Sequence, residues 1–234
     1  MAPELIFCAD GNAEHARAAL AAGWRYGVRL PARGMLRDVP LHFADQDWRR
    51  PDRARYFALL ALHRPALATV LDWEEPHQLA EVLSWAEEAA PLVGRAVIVV
   101  PKVPGGVPDL PREIGGKEVR LGYSIPTSHG GAPLGLWELA GRTLHLLGGS
   151  PHGQLEVYSY LRGTADVRSL DGNMIKKQAT SRCLFWGPSR GPKGHWRALD
   201  GHDGDGPLEA LRRSLGAVRS AWTDAEGREL RPCD

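Results

Sequence analysis

A (β/α)8 barrel of TIM type is the fold class this sequence predicts, and three observations predict it. Apolar, often β-branched runs alternate with amphipathic stretches along most of the chain, the pattern of parallel α/β architecture. The strand-like runs number eight, and 234 residues approach the roughly 250 that such a barrel uses as one domain. Polar residues, mostly carboxylates, gather just beyond the runs, where barrel enzymes carry their chemistry. An open doubly wound sheet uses similar elements and is the alternative, because strand order is not written in one sequence.

The predicted strands, in order, are Leu5 to Ala9, Tyr26 to Leu30, Leu41 to Ala44, Ala68 to Leu71, Ala96 to Val100, Val119 to Gly122, Thr143 to Leu147 and Val167 to Leu170. Apolar positions at three- and four-residue spacing predict helices over Ala13 to Ala22, Asp52 to His63, His77 to Ala90, Leu134 to Ala140, His152 to Leu161 and Met174 to Phe185. The connections Pro31 to Pro40 and Pro101 to Lys117 are rich in Pro and Gly, so the second and fifth helices of the barrel are expected to be degenerate. Residues 1–186 read as the single barrel. Residues 187–234 read as a loop-rich tail ending in a C-terminal helix, Pro207 to Trp222, whose apolar stripe packs back on the barrel.

Hydrophobic content of 43% and charged content of 24% fit a globular protein able to bury a sizeable core. The net charge of +1 offers no global electrostatic argument for a polyanionic partner, leaving only local basic runs at Arg49, Arg50, Arg53 and Arg55 and at Lys176, Lys177 and Arg182. Cys8, Cys183 and Cys233 are far apart, which suggests neither a disulfide framework nor a zinc site and points to a reducing cytoplasm. MAPELIFCAD carries an acid at position 4 and reads as neither signal peptide nor anchor, and no apolar run is long enough to span a membrane.

The residues after each strand form the candidate site. They include Asp10 and Asn12, Arg29, Asp45 and Asp47, Asp72 and Glu74, Lys102, then Ser124, Thr127 and His129, then Gly148, Gly149, Ser150 and His152, and finally Asp171 and Asn173. Each acid has a bland reading: Asp10 or Asn12 can cap the helix from Ala13, and Asp52 can cap the next. Converging on one mouth, they must instead be paired with Arg29, Lys102 or ligand groups, or hold raised pKa values suited to acid/base or nucleophilic work. The turn Gly148-Gly149-Ser150 could present successive N–H groups to a phosphate or a base carbonyl. Trp48, Trp73 and Trp137 are placed to stack on a base, whereas Trp85 falls in a helical core stripe. His129 and His152 have no metal-ligand partner at recognisable spacing, and no cofactor is implied.

FADQDW after strand three, LDWEE after strand four, and LHLLGGSPHGQLEVYSYLRGTADVRSLDGNMIKKQA across strands seven and eight together resemble the tRNA-guanine transglycosylase superfamily, including phage-type enzymes that insert 7-deazaguanines into DNA. The chain also looks like a family from actinobacteria and their phages. The resemblance covers about Leu41 to Ala179. It implies that Asp171 attacks the sugar C1′, that Asp45 handles the base, and that Asp72 and Gly148-Gly149 recognise it. Where the superfamily has Ser-Gly-Gly after its first aspartate, this chain has Gln46-Asp47-Trp48. The superfamily's cysteine-rich zinc subdomain has no counterpart, which turns the expected polymer from tRNA to DNA.

The chemistry stands without the name: exchanging a base needs one carboxylate at the anomeric carbon and a second acid/base group for the leaving base. The expected activity is therefore exchange or cleavage of a purine or 7-deazapurine N-glycosidic bond in nucleic acid or a nucleotide. Asp171 and Asp45 would be catalytic, with Asp47, Asp72, Lys102, Gly148, Gly149, Ser150 and Asn173 binding substrate and no metal. A non-catalytic nucleic-acid-binding barrel and a carboxylate-metal hydrolase built from Asp10, Asp45, Asp47 and Asp72 are the alternatives.

Overall fold

The computed structural model describes residues 2–9, 11–32, 35–127, 130–185, 196–198 and 206–227. Eight parallel strands close a TIM-like barrel: β1 (Glu4–Cys8), β2 (Arg25–Leu30), β3 (Phe43–Gln46), β4 (Leu67–Trp73), β5 (Ala96–Pro101), β7 (Lys117–Ser124), β8 (Thr143–Leu147) and β9 (Asp166–Gly172). Pairing of β1 with β9 and of β5 with β7 completes the ring and settles the architecture against an open sheet. The short β6 (Glu113–Ile114) is an antiparallel outlier, joined to β7 by Gly115-Gly116. Both glycines have positive φ, the geometry a two-residue hairpin loop demands.

Each of the eight predicted strands is found, because a strand buried on both faces must be apolar along its length. In β5 all six residues are buried. Their side chains divide between two layers. Ile6, Cys8, Phe43, Leu67, Ala96, Ile98 and Val100 fill the barrel interior, while residues such as Phe7, Val28, Val70, Val97 and Val99 pack outward against the helices. Gly27 and Gly122 make room inside: a Cβ on Gly27 would come within 2.7 Å of Ile6 Cγ2, and one on Gly122 within 2.8 Å of Leu147 and Val100.

The helices are α1 (Ala13–Ala21), α2 (Arg53–His63), α3 (Leu79–Ala89), α4 (Pro151–Leu161), α5 (Met174–Thr180) and α6 (Pro207–Gly227). Asn12 caps α1 by accepting from His15 N, and Asp52 caps α2 by accepting from Arg55 N. Asp10 lies outside the described residues. The second and fifth connections lack an α-helix among the described residues, as expected; the fifth holds a 3-10 turn, Val107–Asp109, and β6.

Two expected helices are corrected. The stretch 134–140 forms only the 3-10 turn Leu136–Leu139, since Gly135 and Gly141 flank too few residues for cooperative α-helix. The helix from Met174 ends at Thr180, where Arg182 takes a left-handed φ of 53°. The chain then enters β10 (Cys183–Phe185), which pairs antiparallel with β11 (Trp196–Ala198). Burial of Leu184 and Phe185 drives that change, and Phe185 N donates to Ser214 Oγ of α6. Helix α6 lies along α1, α4 and α5, and its Leu215 carbonyl accepts from Trp24 Nε1. The Gly-rich segments 187–195 and 199–205 fall outside the described residues. Among the described residues no helix is long and apolar enough to cross a membrane.

Candidate active site

A cleft of about 460 Å³ opens at the carboxyl end of the barrel, within the usual range for small-molecule pockets. Asp45, Asp72, Lys102, Gly148, Gly149, Asp171 and Asn173 line it, as do Trp48, Ser124 and Thr127. The structure therefore gathers seven of the nine predicted site residues around one space.

The other two go elsewhere. Asp47 lines a separate surface hollow with Arg50, Asp52 and Arg55. Strand β3 stops at Gln46, and a tight turn closed by Trp48 N to Gln46 O and Arg50 N to Asp47 O redirects the chain before Asp47 can face inward. Ser150 caps α4, its Oγ accepting from Gly153 N at 3.1 Å, so its side chain serves the helix and not the cleft. Among the tryptophans, Trp48 is 52% exposed at the cleft, Trp73 is buried with its Nε1 donating to Glu75 O, and Trp137 is exposed away from the cleft lining. Trp85 is core, as its helical spacing predicts. His152 sits in the first turn of α4, and His129 lies outside the described residues.

Asp171 ends β9 and is 7% exposed. Two donors and a histidine ring nitrogen meet its carboxyl. Gly148 N and His145 Nε2 lie 3.3 Å from Oδ1, and Cys8 Sγ lies 3.2 Å from Oδ2. Gln154 Nε2 donates to the Asp171 carbonyl at 2.7 Å and to the Gly148 carbonyl at 2.8 Å, tying the end of β9 to the glycine turn. That turn is built from positive-φ residues; a Cβ on Gly149 would also sit 2.6 Å from Ile125. Since Gly148 N is directed at Asp171, this part of the turn orients a carboxylate, whereas the sequence suggested a phosphate or base carbonyl there.

Asp45 is treated differently. Its carboxyl accepts one hydrogen bond, from Thr69 Oγ1 at 3.0 Å, while that hydroxyl accepts from Gln46 N at 2.7 Å. Burial, then the negative charge of Asp171, push it up to about 8, against the weaker opposing pull of Thr69 and Arg29. With its carboxyl held that high, Asp45 keeps its proton at neutral pH, near an Asp171 carboxyl that meets Gly148 N and Cys8 Sγ.

On the far wall Asp72 pairs with Lys102 at 2.8 Å, and Lys102 also reaches Glu74 at 2.7 Å. Burial raises the Asp72 carboxyl even so, outweighing the lysine. Lys102 stands 5.7 Å from the Trp48 ring centroid and Arg49 lies 5.0 Å over the same ring. Arg53, by contrast, is spent on Glu88 and Ser84, so this part of the basic run is structural. Among the described residues no group of three His, Cys, Asp or Glu could hold a metal ion.

Thr69, Cys8, His145 and Ser169 escaped the reading of strand ends. The signal was present as parity: Ser169 is two residues before Asp171 on β9, and His145 and Thr69 are polar residues inside otherwise apolar strands. A polar side chain at an inward strand position is a candidate support for an acid at the strand's mouth.

The chain belongs to the DUF6610 family, a family of unknown function, whose model matches residues 19–223. No curated protein matches the chain. That family carries no activity from which to argue, so the transglycosylase likeness rests on the motifs of this sequence.

Proposed function

We propose that this barrel breaks or exchanges the N-glycosidic bond of a purine or 7-deazapurine nucleotide, as a transglycosylase-type enzyme. The observation that carries the reading is the opposed pair at the cleft, Asp171 met by Gly148 N, Cys8 Sγ and the His145 ring, and Asp45 pushed up to about 8.

In the first half-reaction an Asp171 oxygen bonds to C1′ as the C1′–N bond breaks, and the Asp45 proton passes to the leaving base nitrogen. In the second, Asp45 takes the proton from an incoming base or water, whose nitrogen or oxygen bonds to C1′ and releases Asp171. Asp72, steadied by Lys102, offers acceptors to the N–H edge of a guanine-like base, and Trp48 offers a stacking face at the rim. A base within a duplex has to be flipped out or presented single-stranded to enter such a cleft. The motif order FADQDW, LDWEE and LLGGSPHG…LDGN supports the same assignment of roles. The likeness extends to enzymes that modify DNA, which puts DNA ahead of tRNA as the polymer, and the scattered cysteines favour a cytoplasmic setting.

Exchange or release of labelled guanine and 7-deazaguanine from single-stranded DNA, duplex DNA and tRNA tests the proposal. Activity should fall at least about 10³-fold in Asp171→Asn. Full activity in that variant removes Asp171 from the role; salt-dependent binding with no exchange or release on any substrate replaces the enzyme with a nucleic-acid-binding barrel.

A further inference from the structure

Beneath Asp171 a column of polar side chains runs down the inside of the barrel, across three strands that the site residues themselves do not explain. His145 of β8 is fully buried and stacked on Phe43 at 4.9 Å. Its Nε2 faces Asp171 Oδ1 at 3.3 Å, and its Nδ1 lies 2.8 Å from Ser169 Oγ. Arg120 of β7, 2% exposed, donates from Nη1 to the same Ser169 oxygen at 2.9 Å. Below, Arg120 is held by Glu118 at 2.9 Å and lies 4.0 Å from Glu4.

The geometry points to Arg120, Ser169 and His145 as a positioning relay that fixes His145 as the neutral tautomer with its proton on Nε2, so that it donates to Asp171 and aims the carboxylate into the cleft. The top of the column favours this proton order and the bottom accommodates it. At the top, a bare Nε2 against a carboxylate oxygen would set two lone pairs face to face in a dry interior. At the bottom, Arg120 can only donate, which uses one of the two Ser169 lone pairs and leaves the hydroxyl hydrogen available to point at Nδ1. Gly148 N and Cys8 Sγ complete the set of groups that hold the Asp171 carboxyl.

This inference rests on Asp171 being the attacking group, but the tautomer can be read without any substrate. Long-range 15N–1H spectra of histidine-labelled protein, with the His145 signals assigned by their loss in His145→Gln, should show a protonated Nε2 and a bare Nδ1 at pH 7. A proton on Nδ1, in a neutral ring or an imidazolium, overturns the relay. Ser169→Ala removes one oxygen from the column, leaves Arg120 Nη1 and His145 Nδ1 without that partner, and should still fold with a melting temperature lower by several degrees. It should mix the two tautomers and lower kcat for base exchange roughly 10- to 100-fold with KM unchanged, by analogy with other outer-sphere supports. An unaltered tautomer and an unaltered kcat in Ser169→Ala also overturn it. If the wild-type protein exchanges no base, the glycosidic reading falls and the spectra still decide the proton order.

Discussion

Glu4 and Asp45 are carboxylates of the same barrel, one at the amino end of β1 and one at the carboxyl end of β3, and their surroundings drive them apart. Glu4 accepts from His42 and Arg95 and faces Arg120; burial opposes its ionisation, yet those partners hold it at about 2. Asp45 has a single hydroxyl donor and a negative neighbour, and stands at about 8. The first arrangement closes the floor of the barrel with charge matched to charge. The second keeps an acid underpaired where the cleft opens, which serves stability poorly and is the mark of a group kept for chemistry.

Breaking the comparison at Asp45 should have the largest effect. Asp45→Asn is expected to lower base exchange by about 10²- to 10⁴-fold, the range of a lost general acid. Its stability should move the other way. Because the folded pKa lies above the ordinary 3.8, the wild-type protein loses stability as pH rises from about 4 to about 8. The variant escapes that loss, so its advantage in denaturant melts should be near zero at pH 4 and grow to several kcal/mol, on the order of 5, at pH 8. An advantage that is flat with pH would show that Asp45 is not the raised group.

Glu4→Gln tests the other pole. Removing one partner from a mostly buried charge cluster should cost up to about 3 kcal/mol at pH 7. The sign of the pH dependence is reversed: Glu4 contributes fully above about 4.5 and loses its contribution as pH falls toward about 2, so wild-type and variant melts should converge in acid. The smallest effect is expected at the rim. Lys102→Met frees Asp72 and Glu74 from their shared cation and should weaken binding of a guanine-like base about 10-fold. Global stability should fall by about 1–2 kcal/mol, because Glu74 is largely exposed but Asp72 is left mostly buried without its cation.

The two misplaced site residues show where reading strand ends stops working. Asp45 and Asp47 share a parity in the sequence, and only the turn after Gln46 separates them in space. Ser150 follows two cleft glycines directly, but capping α4 claims its hydroxyl. His145 was hidden for the opposite reason, since it lies in the middle of a strand that is otherwise apolar and partly buried.

What the sequence by itself determined is what is local and periodic. Apolar runs of strand length separated by helical stretches located all eight barrel strands, and residue type at a boundary nominated Asp52 as one helix cap and Asp10 or Asn12 as another, of which Asn12 caps α1. Position just beyond a strand was enough to nominate Asp45, Asp72, Lys102 and Asp171. Tertiary structure alone decided that β5 meets β7 to close the ring, and which of the gathered acids is protonated. A carboxyl's charge state is a sum over neighbours brought from distant strands: Cys8 is 163 residues from the Asp171 it touches, and Thr69 is 24 residues from Asp45. Periodicity places a side chain on the inner face of the barrel, but closure chooses what it faces, and the facing groups set its proton.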